Sequence, residues 1–149
     1  MILFKGQKEN SKEWVEGQLI ITNSVSFIIH NPELFFYVSD YSHLGDISKE
    51  ISFSSYYEVI PETVCQFVNL TDKDGVKIFS NDLRMDSDGV IFRIYSTFGG
   101  FVIKAHYWKK DISDLVSGDE LIFDHLSNPQ VADWVCNCTK HYGNIHDNK

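Results

Sequence analysis

The chain has 149 residues, of which 43% are hydrophobic and 14% aromatic, and this composition excludes a disordered or fibrous protein. At roughly 150 residues per domain, the length fits one domain or two small parts that share a core. The formal net charge is −8, from 21 acidic and 13 basic residues. Because an acidic protein repels the phosphate backbone, this charge disfavours nucleic acid as the main partner.

Charge is distributed unevenly along the chain. Residues 1–70 hold nine acidic and four basic residues, residues 71–110 hold five and seven, and residues 111–149 hold seven and two. Only the middle segment has a positive balance, of +2, whereas each end has a balance of −5. A polyanion would therefore have to bind the middle segment.

The number of cysteines and the length of the apolar runs indicate in which cellular compartment the protein is expected. The three cysteines are an odd, small number, which fits a reducing compartment better than a disulfide scaffold. The N-terminal sequence MILFKGQKENSKEW turns polar too early for a signal peptide. No apolar run approaches the roughly 18 residues of a membrane span. We therefore expect a soluble, cytoplasmic protein that does not contact a membrane.

The first half of the chain has the short β-branched and aromatic runs that are typical of antiparallel strands. The runs predicted as strands cover residues 14–21, 26–29, 34–38 and 56–60. Residues 22–24 predict a turn, and the third predicted strand follows the Asn-Pro pair at residues 31–32. Residues 39–55 are rich in Ser and Asp and predict a long loop. Residues 61–63 predict a turn or a single helical turn.

The second half combines turns, strands and one short helix. Strands are predicted at residues 76–79, 90–98, 101–108 and 121–123. Gly99-Gly100 predicts a two-residue hairpin turn, because both glycines can adopt positive φ. Asn128-Pro129 predicts the start of a helix. Its apolar face would carry Val131, Trp134, Val135 and Cys138.

A motif in the middle of the chain points to a family. Residues 59–83 read VIPETVCQFVNLTDKDGVKIFSNDL, and this segment resembles the V-x-PETVGQ-[FY]-TGL-x-DKNG-x-x-I-[FY]-EGD motif of the YopX family. The opening WVEGQL at residues 14–19 and the closing GNIHDN at residues 143–148 are similar to the ends of that family. The motif residues assigned a structural role are Pro61, Glu62, Gln66, Asp72, Lys73, Gly75, Asp82, Gly143 and Asn144.

The chain departs from the family motif at several positions. Asn69 and Asn81 stand where the family has glycine. Asn is the next residue after glycine that tolerates left-handed backbone, so we expect both turns to persist. Cys65 stands at another family glycine and Ser80 at a family glutamate, and neither has an evident compensation in the sequence.

The resemblance implies a phage or prophage origin and a mainly β fold. We expect an N-terminal β-sheet part over residues 1–68 and a barrel-like, SH3-like part over residues 69–149. The second part would contain a hairpin at residues 90–108 and a short C-terminal helix at about residues 128–137. The resemblance implies no activity.

Metal-binding and catalytic patterns are weak. Cys136, Cys138 and His141 could supply three zinc ligands, but the spacing lacks the usual Cys-x-x-Cys pair, and we expect no metal. The Asp-rich turn at residues 72–75 lacks the first oxygen ligand and the last glutamate of a calcium loop. No activated Ser or Cys and no glycine-rich phosphate loop can be recognised. We therefore expect no catalytic residue and no cofactor.

The outer face of the predicted hairpin is a candidate binding surface. With a turn at residues 99–100, this face would carry Arg93, Tyr95, Lys104, His106 and Trp108. The opposite face would be a core face and would carry Val90, Phe92, Ile94, Phe98, Phe101, Ile103, Ala105 and Tyr107. In that register Trp108 would lie opposite Ile91, and Lys104 opposite Tyr95. Basic residues interleaved with aromatic ones can stack on single-stranded nucleic acid or on a peptide. The alternatives are a solvated face or a face covered by the helix around Trp134.

The sequence therefore leads to three functional hypotheses. The first is a non-enzymatic phage or prophage accessory protein that acts through contacts with another protein or with a second copy of itself. The second is a nucleic-acid-binding module that uses the hairpin face, favoured by the +2 balance of residues 71–110 and opposed by the total of −8. The third is an enzyme of a kind that the sequence does not reveal.

Overall fold

The computed structural model describes residues 2–38, 47–108 and 123–147. The chain forms two compact units, Met1–Val64, called unit 1 below, and Cys65–Lys149, called unit 2. Across the described ranges the fold is mainly β with one short α-helix, which confirms the expected fold class. The same residues contain no helix that is long and apolar enough to cross a membrane.

Unit 1 is an antiparallel sheet of four strands in the order β4-β3-β2-β1. The strands are β1 (Phe4–Gln7), β2 (Trp14–Thr22), β3 (Val25–Val38) and β4 (Ile47–Val59), followed by a 3-10 turn at Pro61–Thr63. Asn23 and Ser24 join β2 to β3 with φ values of 50° and 67°. Positive φ at both central residues matches the right-handed twist of a two-residue hairpin, so the turn predicted at residues 22–24 is confirmed.

The long loop expected at residues 39–55 is wrong from residue 47 onwards. Strand β4 begins at Ile47 and pairs with β3 from Val38↔Ile47 to Ser26↔Val59. The sequence ISKEISFSS alternates apolar and polar residues over much of its length, the pattern of a half-buried strand, and its Ser content conceals that pattern. The remaining part of that prediction, residues 39–46, lies outside the described residues.

The expected division into separate strands at residues 26–29 and 34–38 is also wrong, because β3 is one strand from Val25 to Val38. Pro32 lies inside β3 and pairs with Phe53 of β4, whereas β2 pairs with β3 only as far as Ile29. Proline cannot donate to a strand ladder, so it is tolerated where one side of the strand has no partner. Among the described residues, no strand pairs with β3 beyond Ile29 on the side that faces away from β4.

Unit 2 contains a small hairpin, a five-stranded antiparallel sheet and the helix. The hairpin joins β5 (Cys65–Thr71) to β6 (Lys77–Phe79). The sheet has the order β10-β9-β8-β7-β11, with β7 at Asp82–Asp86, β8 at Val90–Thr97, β9 at Gly100–Trp108, β10 at Phe123–His125 and β11 at Thr139–Asn144. In the described part of the chain β10 and β11 lie at opposite ends of this order, and barrel closure is not detected.

The helix α1 (Pro129–Cys138) begins as the sequence predicts. The Asn128 side chain accepts a hydrogen bond from the Gln130 N–H, and Pro129 occupies the first turn. Val135 is completely buried, and Trp134 packs edge-on against Phe92 with ring centroids 5.0 Å apart. Cys138 is exposed, so its predicted place on the apolar face is wrong.

The core of unit 2 is built from one face of the β8–β9 hairpin, the helix and β6. Its buried members are Val68, Ile78, Val90, Phe92, Ile94, Ile103, Ala105, Leu126 and Val135. The alternation in the hairpin sequence predicted five of these residues, because side chains in a strand point to opposite faces with a period of two. Phe98 was predicted on the same face but is fully exposed at the hairpin tip.

The register of that hairpin differs from the predicted one. Thr97 pairs with Gly100, so Phe98-Gly99 is the turn, and Lys104 lies opposite Arg93 instead of Tyr95. The strands are displaced by two residues from the predicted register. A displacement of two preserves which residues share a face, so the predicted core survives while the predicted cross-strand pairs do not.

Candidate functional site

The β8–β9 hairpin brings together three of the five residues assigned to its outer face. Arg93 and Lys104 are cross-strand neighbours, and Tyr95 follows Arg93 on the same face. The Arg93 guanidinium carbon lies 4.4 Å from the centre of the Tyr95 ring, and the Lys104 ammonium lies 5.4 Å from it. These are cation–π distances, so the Tyr95 ring is already in contact with both cations. We call these three residues the hairpin cluster.

Two neighbours limit what the hairpin cluster can bind. Arg93 Nη2 donates a hydrogen bond of 2.9 Å to Asn81 Oδ1, which fixes the guanidinium. Val102, which pairs with Tyr95, is only 1% exposed, so this face is not uniformly open to solvent. The hairpin cluster is therefore a fixed group of two cations and one ring beside the buried Val102. It differs from the open stacking surface that the sequence predicted.

The other two predicted members of the face are placed differently by the backbone. Trp108 pairs with Val90 instead of Ile91. The register shifts between Ile91↔Tyr107 and Phe92↔Ala105, and His106 lies at this irregularity without a direct partner in the register. A bulge of this kind reverses the face alternation of the residues beyond it. The structure therefore gives no basis for grouping Trp108 with the hairpin cluster, and the side chains of His106 and Trp108 lie outside the described residues.

Unit 1 carries an apolar surface that no motif in the sequence predicts. Ile20, Phe27, Ile29 and Tyr56 line an open cavity of about 220 Å³ on one face of the sheet. The register explains the cluster, because Ile20 pairs with Phe27 and Ile29 pairs with Tyr56 across three adjacent strands. We call these four residues the concave patch.

The concave patch is apolar and accessible at the same time. Tyr56 is 60% exposed and Ile20 is 36% exposed, whereas Ile29 is almost completely buried. The Phe27 and Tyr56 rings meet edge to face with centroids 6.2 Å apart. The available sequence signal was Ile20-Ile21 in β2, since two consecutive isoleucines put an apolar side chain on both faces of one strand.

Arg84 and Asp72 form a buried ion pair in unit 2. Arg84 Nη2 lies 3.0 Å from Asp72 Oδ2, and the two side chains are 0% and 1% exposed. Arg84 also donates from Nε to Thr139 Oγ1 and from Nη2 to the Thr139 carbonyl, each at 3.0 Å. The guanidinium thereby connects β7, the end of β5 and the junction between α1 and β11.

The Asp72 carboxylate also organises the turn that follows it. Its Oδ1 accepts hydrogen bonds of 2.9 Å from the N–H groups of Asp74 and Val76. Burial alone raises the pKa of Asp72, but the Val76 N–H, the Arg84 guanidinium and the Asp74 N–H outweigh it and hold that pKa below its ordinary value. Asp72 is therefore a structural carboxylate that is ionised at neutral pH.

A second buried network centres on Asp82. Asp82 Oδ2 accepts from the Phe79 N–H at 2.8 Å, and Oδ1 accepts from Asn144 Nδ2 at 2.9 Å. The Cys65 sulfur accepts weaker contacts from the amide groups of Asn81 and Asn144, at 3.8 Å and 3.7 Å. The Cys65 sulfur is therefore contacted by two side-chain amides. The family motif, which has glycine at this position, does not predict these contacts.

The weak metal candidates do not form a donor set. Cys136 is half-buried, whereas Cys138 and His141 are exposed. Burial raises the pKa of the Cys136 thiol, which disfavours the thiolate form that zinc requires. Across the described ranges, no group of three or more His, Cys, Asp or Glu side chains is arranged to hold a metal ion.

The sequence matches the family described as YopX protein over residues 4–149. The chain belongs to the YopX family. The crystal structure of protein EF1440 from Enterococcus faecalis is similar in fold, with a TM-score of 0.52 and 22% sequence identity over 99% of this chain and 95% of that chain. No curated protein matches the sequence.

The YopX motif residues of this chain have identifiable positions in the fold. Asp72 and Asp82 are the centres of the two buried networks, and Asn144 joins the second one. Gly75 has a φ of 82° in the turn after Asp72, and Gly143 has a φ of 154° at the irregularity in β11. These contacts are all internal to unit 2.

The remaining YopX motif residues contribute mainly through the backbone. Pro61 begins the 3-10 turn and Glu62 is exposed on it. The Ser80 N–H donates to the Gln66 carbonyl at 2.8 Å, and the Gln66 N–H donates to the Ser80 hydroxyl at 2.9 Å. The exposed Lys73 donates its N–H to the Cys136 carbonyl. Asn69 and Asn81 have φ values of 64° and 67°, so the expected left-handed turns are confirmed.

Proposed function

We propose that this YopX protein is a non-enzymatic phage or prophage accessory protein that acts by binding another protein through the concave patch of unit 1. The observation that carries the proposal is the patch itself, an accessible cavity whose four lining side chains are all apolar or aromatic. Contiguous exposed apolar surface is costly for a protein in water, and where it occurs it commonly marks an interaction site. Tyr56 belongs to the residue types that contribute most to binding energy at such sites.

The size of the cavity favours a protein partner over a small molecule. Pockets for small molecules usually enclose about 300–1,000 Å³ and carry a few placed polar groups. The concave patch has about 220 Å³ and is lined by Ile20, Phe27, Ile29 and Tyr56, none of which is charged. A cavity of this kind suits the apolar side chains that anchor a protein–protein contact.

Photo-cross-linking in host cells tests the proposal at the site itself. A photoreactive phenylalanine analogue at position 56 should cross-link to a defined host or phage protein. The same analogue at Phe98, which is fully exposed at the hairpin tip, serves as the matched control. The double variant Ile20→Ser, Tyr56→Ala should lose the same partner in a quantitative pull-down, whereas Phe98→Ala should retain it. An identical set of cross-linked and captured proteins for both positions would contradict the proposal.

Nucleic-acid binding at the hairpin cluster is a second candidate. The adjacent cations Arg93 and Lys104 lie in the only segment of the chain with a positive balance, which supports it. The contact of both cations with the Tyr95 ring opposes it, because that ring is the natural stacking partner for a base. The protein-binding proposal is therefore the better supported of the two.

A further inference from the structure

A charged residue, Glu58, lies beside the apolar residues of the concave patch. Glu58 pairs directly with Phe27 across β3 and β4, so it lies beside the cavity on the same face of the sheet. Glu58 is exposed. It follows Tyr56 by two positions in β4, which places both side chains on one face. An occupant of the cavity would therefore meet a carboxylate at the β4 side.

Two further charged residues, Glu16 and Lys5, bear on the charge of this face. Glu16 lies further along β2 on the same face as Ile20 and is exposed. Lys5 pairs with Glu16 in register but is only 9% exposed, and its ammonium lies 4.8 Å from the centre of the Trp14 ring. Register partners on neighbouring strands share a face, so Lys5 lies beside Glu16 and offsets its charge. Glu58, whose register partner is the apolar Phe27, is therefore the carboxylate that an approaching molecule would meet at the cavity.

The first part of the chain, residues 1–70, is negatively charged as a whole, like Glu58 at the cavity. Residues 1–70 have a balance of −5, and the complete chain has −8. A second copy of the chain would bring equal charges together, and a nucleic acid would bring more negative charge. Electrostatic complementarity at an interface favours the partner of opposite sign and penalises partners of the same sign.

On this basis, and resting on the function proposed above, we infer that the occupant of the concave patch is an apolar segment of another protein that is flanked by lysine or arginine. The apolar residues of the segment fill the cavity between Ile20 and Tyr56. Its basic flank lies against Glu58. The patch supplies affinity through apolar burial, and the Glu58 carboxylate supplies selectivity and raises the association rate.

Selection from a displayed library of random peptides tests the inference. Peptides enriched on the wild-type protein should share an apolar core with lysine or arginine beside it. For the consensus peptide, Glu58→Lys should weaken binding about fivefold, which is the size of effect expected from a charge pair at the margin of an interface. Glu62→Lys is the matched control, because it changes the charge of unit 1 equally from the exposed 3-10 turn and does not line the cavity.

The outcomes separate the inference from the function on which it rests. Enriched peptides that depend on Tyr56 but show no preference for basic residues would contradict the inference and leave the protein-binding proposal intact. Enrichment that is unaffected by Ile20→Ser, Tyr56→Ala would contradict both. A concentration-dependent dimer in light scattering that disappears in the same double variant would identify a second copy as the occupant and would also overturn the inference.

Discussion

Arg84 Nη2 lies 3.0 Å from Asp72 Oδ2, and neither side chain is exposed by more than 1%. The pair is not fully compensated, since Arg84 Nη1 is buried without a hydrogen-bond partner in the described residues. Removing one member of a buried pair leaves the other charge without a counterion in a medium of low dielectric, and this strongly lowers the free energy of unfolding. Replacing both members by apolar residues of similar volume is often neutral or stabilising.

Removing one partner of this pair should therefore destabilise unit 2 strongly. We expect Asp72→Asn to lower the free energy of unfolding by about 3 kcal/mol or more, measured by urea denaturation. The exposed pair of Lys8 and Glu13, also at 3.0 Å, is the matched control, and Glu13→Gln should cost about 0.5 kcal/mol or less. Equal effects of the two substitutions would show that the buried pair has no special role.

The lowered pKa of Asp72 predicts how the stability depends on pH. A carboxyl group whose pKa is lower in the folded state stabilises the fold at pH values above its unfolded pKa, and this contribution is lost as the pH falls through the folded pKa. The free energy of unfolding should therefore decrease on acidification from neutral pH to below the ordinary range of aspartate. In Asp72→Asn this decrease should be smaller, because the group that titrates is absent. Identical pH profiles would contradict the assignment.

The buried pair also shows what the sequence could predict and what it could not. The turn after Asp72 was predicted from its residue types, because Asp accepts hydrogen bonds from the backbone two residues on and Gly75 tolerates positive φ. The burial of Arg84 was not predicted. Its partner Thr139 is 55 residues away along the chain, and no local pattern reports a contact of that separation.

The candidate sites differ in the same way. The alternation in the β8–β9 hairpin predicted that Arg93, Tyr95 and Lys104 share a face, since alternation is a local property. It could not predict the bulge that places Trp108 opposite Val90. The concave patch was missed because it needs three strands in register, and one of them, β4, has a Ser content that is typical of a loop.

Gly17 should be the glycine most sensitive to substitution in unit 1. A Cβ at this position would overlap the carbonyl oxygen of Ile29 and lie 2.8 Å from its carbonyl carbon, so the backbone of β3 would have to move. Forcing extra atoms into such a place typically costs about 1–3 kcal/mol. We expect Gly17→Ala to lower the melting temperature clearly. Gly99→Ala is the control, because nothing lies within 4 Å of its Cβ position.

Gly75 should be sensitive for a different reason. Its φ is 82° and nothing lies within 4 Å of the position that a Cβ would occupy, so only backbone strain opposes a side chain there. Asn tolerates left-handed backbone, whereas a β-branched residue does not. Gly75→Val should therefore destabilise the protein by about 1 kcal/mol more than Gly75→Asn, measured by thermal unfolding. Equal melting temperatures for the two variants would contradict the turn geometry.

The hairpin cluster should bind single-stranded DNA only weakly. Arg93 is held by Asn81, and the Tyr95 ring is in contact with Arg93 and Lys104, so a base cannot stack there without displacing a cation. Two adjacent cations on a chain with a net charge of −8 release few counterions on binding. We therefore expect fluorescence anisotropy with a labelled oligonucleotide to give a Kd above roughly 1 μM at physiological salt, within the range of non-specific binding. Arg93→Glu with Lys104→Glu should change this value little. A submicromolar Kd that rises steeply with added salt, with binding abolished in this double variant, would make nucleic-acid binding the function of the hairpin and displace the protein-binding proposal.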